Sequence, residues 1–176
     1  MSLANRLTLA RIFLTPLVAV VMLSTWRGWE AASLALIGIA ALTDLLDGKL
    51  ARRANEVTAL GAMLDPIADK FFISTIFICL VARGLSPAWI AIVIVGREFA
   101  VTALRMAARE RGGSVPVRML GKIKMHAQVY ASLLVVFGAW VPETRPLGVL
   151  GLWVAAALTL WSGADYFARS RRAVFG

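Results

Sequence analysis

Uncharged, mainly apolar stretches recur along the chain at Ile12 to Trp26, Ala31 to Thr43, Phe71 to Ala82, Gly84 to Gly96, Met125 to Pro142 and Pro146 to Ala164. A helix that crosses a bilayer needs about 20 such residues. Only the last run is clearly long enough, and the fifth nearly so, whereas the other four reach that length only with their polar ends included. The pattern predicts six helices, over residues 5–25, 31–53, 61–82, 87–110, 122–140 and 146–168. Short connections at 26–30, 83–86 and 141–145 predict helical hairpins that turn at one face, and the longer segments at 54–60 and 111–121 predict functional loops at the other. The first run lacks a small-residue cleavage site followed by a polar mature chain, so it reads as a first helix and not as a removable leader. With no repeat or soluble second domain in the pattern, one membrane domain over residues 1–176 is expected.

Composition narrows the class. The 176 residues are 60% hydrophobic and only 16% charged, yet 19 Lys and Arg against 10 Asp and Glu give a formal charge of +9. A soluble domain of this size cannot bury that much apolar surface, and a nucleic-acid binder carries more charge with less Leu, Val and Ala. The expectation is an all-α integral membrane bundle with no nucleic-acid partner. Cys79, the only cysteine, has no internal disulfide partner and reads as a packed thiol. With both termini placed inside the cell, fourteen of the basic residues fall near inner helix ends, and only Arg27, Arg83 and Arg145 fall in the outer turns. That bias predicts a multi-pass protein of the cytoplasmic membrane with both termini on the cytoplasmic side. Such a rim also attracts anionic lipid, which explains much of the basic excess without any catalytic role.

The acidic residues resist that explanation. Asp44 and Asp47 lie three residues apart near the inner end of the second predicted helix, and Asp65 and Asp69 lie four apart at the start of the third. Each pair can share a helix face. If the two helices form an antiparallel hairpin closed by the inner loop, the four carboxylates converge at one depth. There they repel one another unless cations neutralise them. An all-oxygen donor set suits hard divalent ions, Mg²⁺ or Mn²⁺, one or two of them. The plainer alternative is helix capping, with Asp65 before Pro66, and pairing with Lys49, Arg52, Arg53 and Lys70. Gly48 and Gly61 leave room for a ligand close to the backbone, or serve as helix contacts.

The segment from Asp44 through Asp47, Gly48, Ala51, Arg52, Gly61 and Asp65 to Asp69 resembles the complete signature of the CDP-alcohol phosphatidyltransferases, eight fixed residue types at fixed spacing. The resemblance implies a six-helix enzyme of the bacterial cytoplasmic membrane, a homodimer, that moves a phosphatidyl group from a CDP-linked lipid to an alcohol and releases CMP. It further implies that Asp44, Asp47 and Asp65 hold divalent metal and the CDP diphosphate, with Asp69 completing the metal site and serving as general base. Gly48, Ala51, Arg52 and Gly61 would line the nucleotide pocket.

The signature does not choose the alcohol. Asn5, Arg6, Leu7, Thr8, Arg11 and Pro16, the segment GREFAVTALRMAARERGG, the segment GKIKMHAQ and the closing TLWSGADYF resemble the branch of the family that uses sn-glycerol 3-phosphate and makes phosphatidylglycerophosphate. Met125 departs from it, where a threonine is expected after the second lysine. Arg105, Arg118 and Lys122 are the expected ligands of the acceptor phosphate, with Asn5, Arg11, Arg97, Glu98 and Lys124 as accessory positions. For Glu98 an internal ion pair is equally open. His126 and the six tryptophans read as interfacial residues, and Tyr166 as an anchor of the last helix. Small residues in the second, fifth and sixth helices allow close packing, including contact with a second copy. A sister transferase using serine or inositol phosphate and, in another class, a divalent-cation transporter remain as alternatives.

Overall fold

A computed structural model describes residues 3–54, 59–110 and 119–175, with side chains at 9–43, 67–108 and 119–169. Its regular elements are α1 (Leu3–Leu23), α2 (Trp29–Ala54), α3 (Ala59–Ala82), α4 (Ala88–Glu110), α5 (Met119–Trp140) and α6 (Arg145–Phe175), with a 3-10 turn at Pro142–Thr144 before α6. The described residues form no strand. All six predicted helices are present. The main differences are an earlier start of α5 and an α6 that runs seven residues past the predicted end at 168.

Neither face of these helices is strongly polar, so their packing is marked by lone polar and small residues. In α1 the buried positions are Arg11, Thr15, Val18 and Met22, and in α6 they include Leu152, Ala155, Thr159, Ser162 and Tyr166. Spacings of three and four place each set on one helix face. The outward faces carry large apolar side chains, among them Phe13, Val20, Ile92, Phe99, Leu150 and Trp161, with Phe13 74% exposed. One described stretch, Pro142–Arg169, is long and apolar enough to cross a membrane, with a mean hydropathy of 1.7.

The helices alternate in direction, so the turns 24–28, 83–87 and 141–144 lie at one end of the bundle. Helix α3 stops in a Schellman motif, in which Leu85 N–H donates to Leu80 O at 2.8 Å and Gly84 N–H to Val81 O at 2.9 Å, with Gly84 at φ +68°. The intervening Arg83 reaches across to donate to the Met22 and Ser24 carbonyls and lies 4.1 Å above the Trp29 ring. That one side chain ties the ends of α3 and α1 to the start of α2.

Below this clamp sits the apolar core, built around Met22, Ile37, Ile76, Phe77, Leu80, Ile90, Ile94 and Val136. Helices α5 and α6 pack most closely, because a Cβ on Gly148 would lie 3.0 Å from the Val135 Cα. Among the described residues, α2 and α3 both pack on α1 and α5. The meeting of α2 and α3 that would gather the four aspartates lies outside the described residues. Helix α1 supplies the interior polar side chain, Arg11, that bonds to Asp69 on α3.

Candidate active site

The half of the bundle away from the turns holds a cavity of about 310 Å³ lined from five helices. Arg11 comes from α1, Ala40 and Ala41 from α2, and Asp69, Lys70, Phe72 and Ile73 from α3. Helix α4 contributes Arg97, Glu98, Val101, Thr102 and Arg105, and α5 contributes Gly121, Lys122, Lys124, Met125, Gln128 and Val129. Among these described residues, six side chains are cationic and two anionic. The cavity is therefore suited to an anion, and its partly apolar lining strengthens each electrostatic contact inside it.

Three polar arrangements shape it. Arg11, only 7% exposed, donates from Nη1 to Asp69 Oδ1, and the Thr15 hydroxyl donates to the Arg11 carbonyl at 2.8 Å one turn on. Glu98, 8% exposed, receives Lys124 from α5 and Arg97 from its own helix, the latter at 3.4 Å. The internal ion pair left open for Glu98 is thus present, and Lys124 is committed to it. Third, Arg105 donates to the Tyr166 hydroxyl, and the guanidinium carbons of Arg105 and Arg97 lie 4.9 and 5.8 Å from the Tyr166 ring centre. Space for Arg97 comes from Gly163 on α6, where a Cβ would meet its Cγ at 3.1 Å.

Of the residues singled out in the sequence, Asp69, Arg105, Lys122, Arg11, Arg97, Glu98 and Lys124 are brought together here. Asp44, Asp47, Gly48, Ala51 and Arg52 belong to α2, and Gly61 and Asp65 to α3, but their side chains lie outside the described residues, as do Asn5 on α1 and Arg118. The described residues contain no cluster of three His, Cys, Asp or Glu, and of the four signature carboxylates only Asp69 is among them. Met125, the departure from the expected threonine, lines the cavity. His126 lies outside the lining and turns its Nδ1 to the Lys122 carbonyl at 2.8 Å.

Tyr166 corrects an expectation. It is buried and holds an arginine inside the bundle instead of anchoring α6 at an interface. Three tryptophans also do more than face the interface: Trp29 supports Arg83, and Trp89 meets Trp153 at 5.1 Å between ring centres. Lys70 and Gln128 were missed as cavity residues. Their signal was spacing, since Lys70 follows Asp69 directly and Gln128 stands four residues after Lys124.

Comparison with known proteins agrees with this geometry. Residues 1–161 match the CDP-alcohol phosphatidyltransferase family. The chain is 41% identical to a Bacillus subtilis CDP-diacylglycerol–glycerol-3-phosphate 3-phosphatidyltransferase, over 98% of this chain and 97% of that protein. It is 38% identical to a probable phosphatidylglycerophosphate synthase of Mycobacterium tuberculosis, covering 99% and 84%. A Salmonella choleraesuis protein with the same name as the Bacillus relative is 37% identical, covering 94% and 92%. With the family matched over most of its length and relatives aligned nearly end to end, this chain belongs to the CDP-alcohol phosphatidyltransferase family.

Proposed function

We propose that this protein is an integral-membrane enzyme that transfers the phosphatidyl group of CDP-diacylglycerol to sn-glycerol 3-phosphate, forming phosphatidylglycerophosphate and CMP. The observation that carries this reading is the cationic cavity, in which Arg97 Nε and Arg105 Nε are buried and have no hydrogen-bond partner among the described residues. Buried donors of that kind call for an acceptor-rich ligand, and a phosphate supplies one. Relatives similar over nearly the whole chain are named for glycerol 3-phosphate.

Arg105 and Lys122 are the proposed ligands of the acceptor phosphate, joined by Arg118. Arg97 and Lys124, paired with Glu98, shape the floor. Asp69 takes the proton of the acceptor's primary hydroxyl, and Arg11 holds the carboxylate in place. The hydroxyl oxygen attacks the phosphorus that carries diacylglycerol. Its bond to the bridging oxygen breaks, and CMP leaves with that electron pair.

Asp44, Asp47, Asp65 and Asp69 would together supply an all-oxygen donor set of the kind that suits Mg²⁺ or Mn²⁺, and of these Asp69 lines the cavity. When bound, such ions neutralise diphosphate charge and make CMP a better leaving group. Asp47, Gly48, Ala51, Arg52, Gly61 and Asp65 are the proposed binding positions for the CDP-lipid.

Helix length and surface support a membrane setting. The shortest helix, α1, has 21 residues, about 31 Å at 1.5 Å per residue, close to the roughly 30 Å of a hydrocarbon core. Large apolar side chains around the outside suit lipid contact. The proposed setting is the bacterial cytoplasmic membrane, with both termini and the cavity on the cytoplasmic side, and the proposed working unit is a homodimer. An acceptor screen with CDP-diacylglycerol tests the reaction. Phosphatidylglycerophosphate as the lipid product supports it, and a serine or inositol phosphate product contradicts it.

A further inference from the structure

Gln128 is fully buried, lines the cavity and spans to α6, where its Nε2 donates to Thr159 Oγ1 at 2.9 Å. Thr159 in turn donates its single hydroxyl proton to the Ala155 carbonyl at 2.6 Å. Its oxygen can therefore only accept, so the amide edge facing it must be the NH₂. This fixes which way the amide points. The opposite edge, Oε1, is a buried acceptor with no hydrogen-bond partner among the described residues.

A buried carbonyl oxygen left unmatched costs stability, so its partner is expected to arrive with the ligand. A phosphate dianion offers only acceptors, and a cationic ligand is disfavoured by the basic lining. The donor that fits this lining beside Lys122 on the same helix is a hydroxyl carried by the anionic acceptor itself. Glycerol 3-phosphate has two. The primary hydroxyl gives its proton to Asp69, which leaves the secondary one.

We infer that Gln128 Oε1 accepts a hydrogen bond from the secondary hydroxyl of the acceptor, and that Thr159 is the positioning residue that orients the amide for it. The inference rests on the acceptor assignment above and deepens it. Gln128 thereby selects a vicinal diol phosphate over a simple hydroxyalkyl phosphate.

The test uses the full-length protein in detergent and compares CMP release with glycerol 3-phosphate and with 3-hydroxypropyl phosphate, which keeps the phosphate and the attacking hydroxyl but lacks the secondary one. The wild-type protein is expected to favour glycerol 3-phosphate by about 10-fold to 100-fold in kcat/KM. Gln128→Met, close in volume, should bring the two acceptors to within about threefold. Thr159→Val frees the amide to turn and should reduce the preference by several fold, which provides a reading if Gln128→Met does not fold. A purely structural bridge between α5 and α6 would lower both rates together, and a preference unchanged in either variant overturns the inference. Absence of preference in the wild-type protein overturns it as well. Failure to use glycerol 3-phosphate at all, with another alcohol accepted, removes the acceptor assignment and this inference with it.

Discussion

Lys124 on α5 and Glu98 on α4 form an ion pair inside the bundle, with the Lys124 side chain only 4% exposed. Arg97 contacts the same carboxylate at 3.4 Å. One anion thus holds two cations at the cavity floor. Glu98→Gln leaves both without their counter-charge, whereas Lys124→Met leaves Glu98 still paired with Arg97. Glu98→Gln is expected to lower stability by about 3–5 kcal/mol, and Lys124→Met by distinctly less. Thermal unfolding in detergent gives the ordering, and equal losses would show that Arg97 does not share the pair.

Tyr166 positions Arg105 through its hydroxyl and faces both arginines with its ring. Tyr166→Phe keeps the ring and removes the hydrogen bond. It should raise KM for glycerol 3-phosphate by roughly 3-fold to 10-fold, the worth of about one such bond, and leave KM for CDP-diacylglycerol near its original value. Tyr166→Leu also removes the cation–π contacts and should do more. A change confined to the CDP-lipid would move Arg105 to the donor side of the cavity.

Asp69→Asn should nearly abolish turnover while sparing much of the nucleotide binding. Arg11→Met, which releases the same carboxylate, should lower kcat with a smaller effect on either KM. Chelation of divalent ions should stop CMP release, and Mg²⁺ or Mn²⁺ should restore it. Full turnover by Asp69→Asn removes the general-base assignment, and full turnover in chelator removes the metal.

Close approach of α5 and α6 makes a separate prediction. Gly148 would place a Cβ 3.0 Å from Val135 Cα, whereas Gly96 on the exposed side of α4 has nothing within 4 Å of its Cβ position. Gly148→Ala should destabilise by about 1–3 kcal/mol through overpacking. Gly96→Ala should stabilise by up to about 1 kcal/mol, because alanine is the better helix former. The sign difference in melting temperature is the test.

These contacts also show where the sequence was readable. Apolar runs bounded by charges and short turns predicted all six helices to within a few residues, apart from the C-terminal end of α6, where polar and basic residues after Ala168 hid a helix that continues. Spacing singled out Asp69, its place inside an apolar helix singled out Glu98, and the family resemblance pointed to Arg105 and Lys122 before any contact was visible. Helix rotation was not readable. In α6 the outward Leu160 and Trp161 are as apolar as the inward Leu152 and Ala156, so periodicity carries little information about which side Tyr166 faces. The same silence hid Gln128, whose role depends on Thr159 from a helix 31 residues away in sequence. The bond that joins α1 to α3 was equally hidden, because Arg11 stood in the sequence as a rim charge and an accessory position with no sign that it would meet Asp69.

The most direct test of the proposed activity is CMP release from CDP-diacylglycerol by the purified protein, in detergent or liposomes, with divalent metal and glycerol 3-phosphate each supplied or withheld. Release only when both are present, with phosphatidylglycerophosphate as the lipid formed, is the expected result. No release under any of these conditions, with divalent metal instead taken up into sealed vesicles, would contradict it.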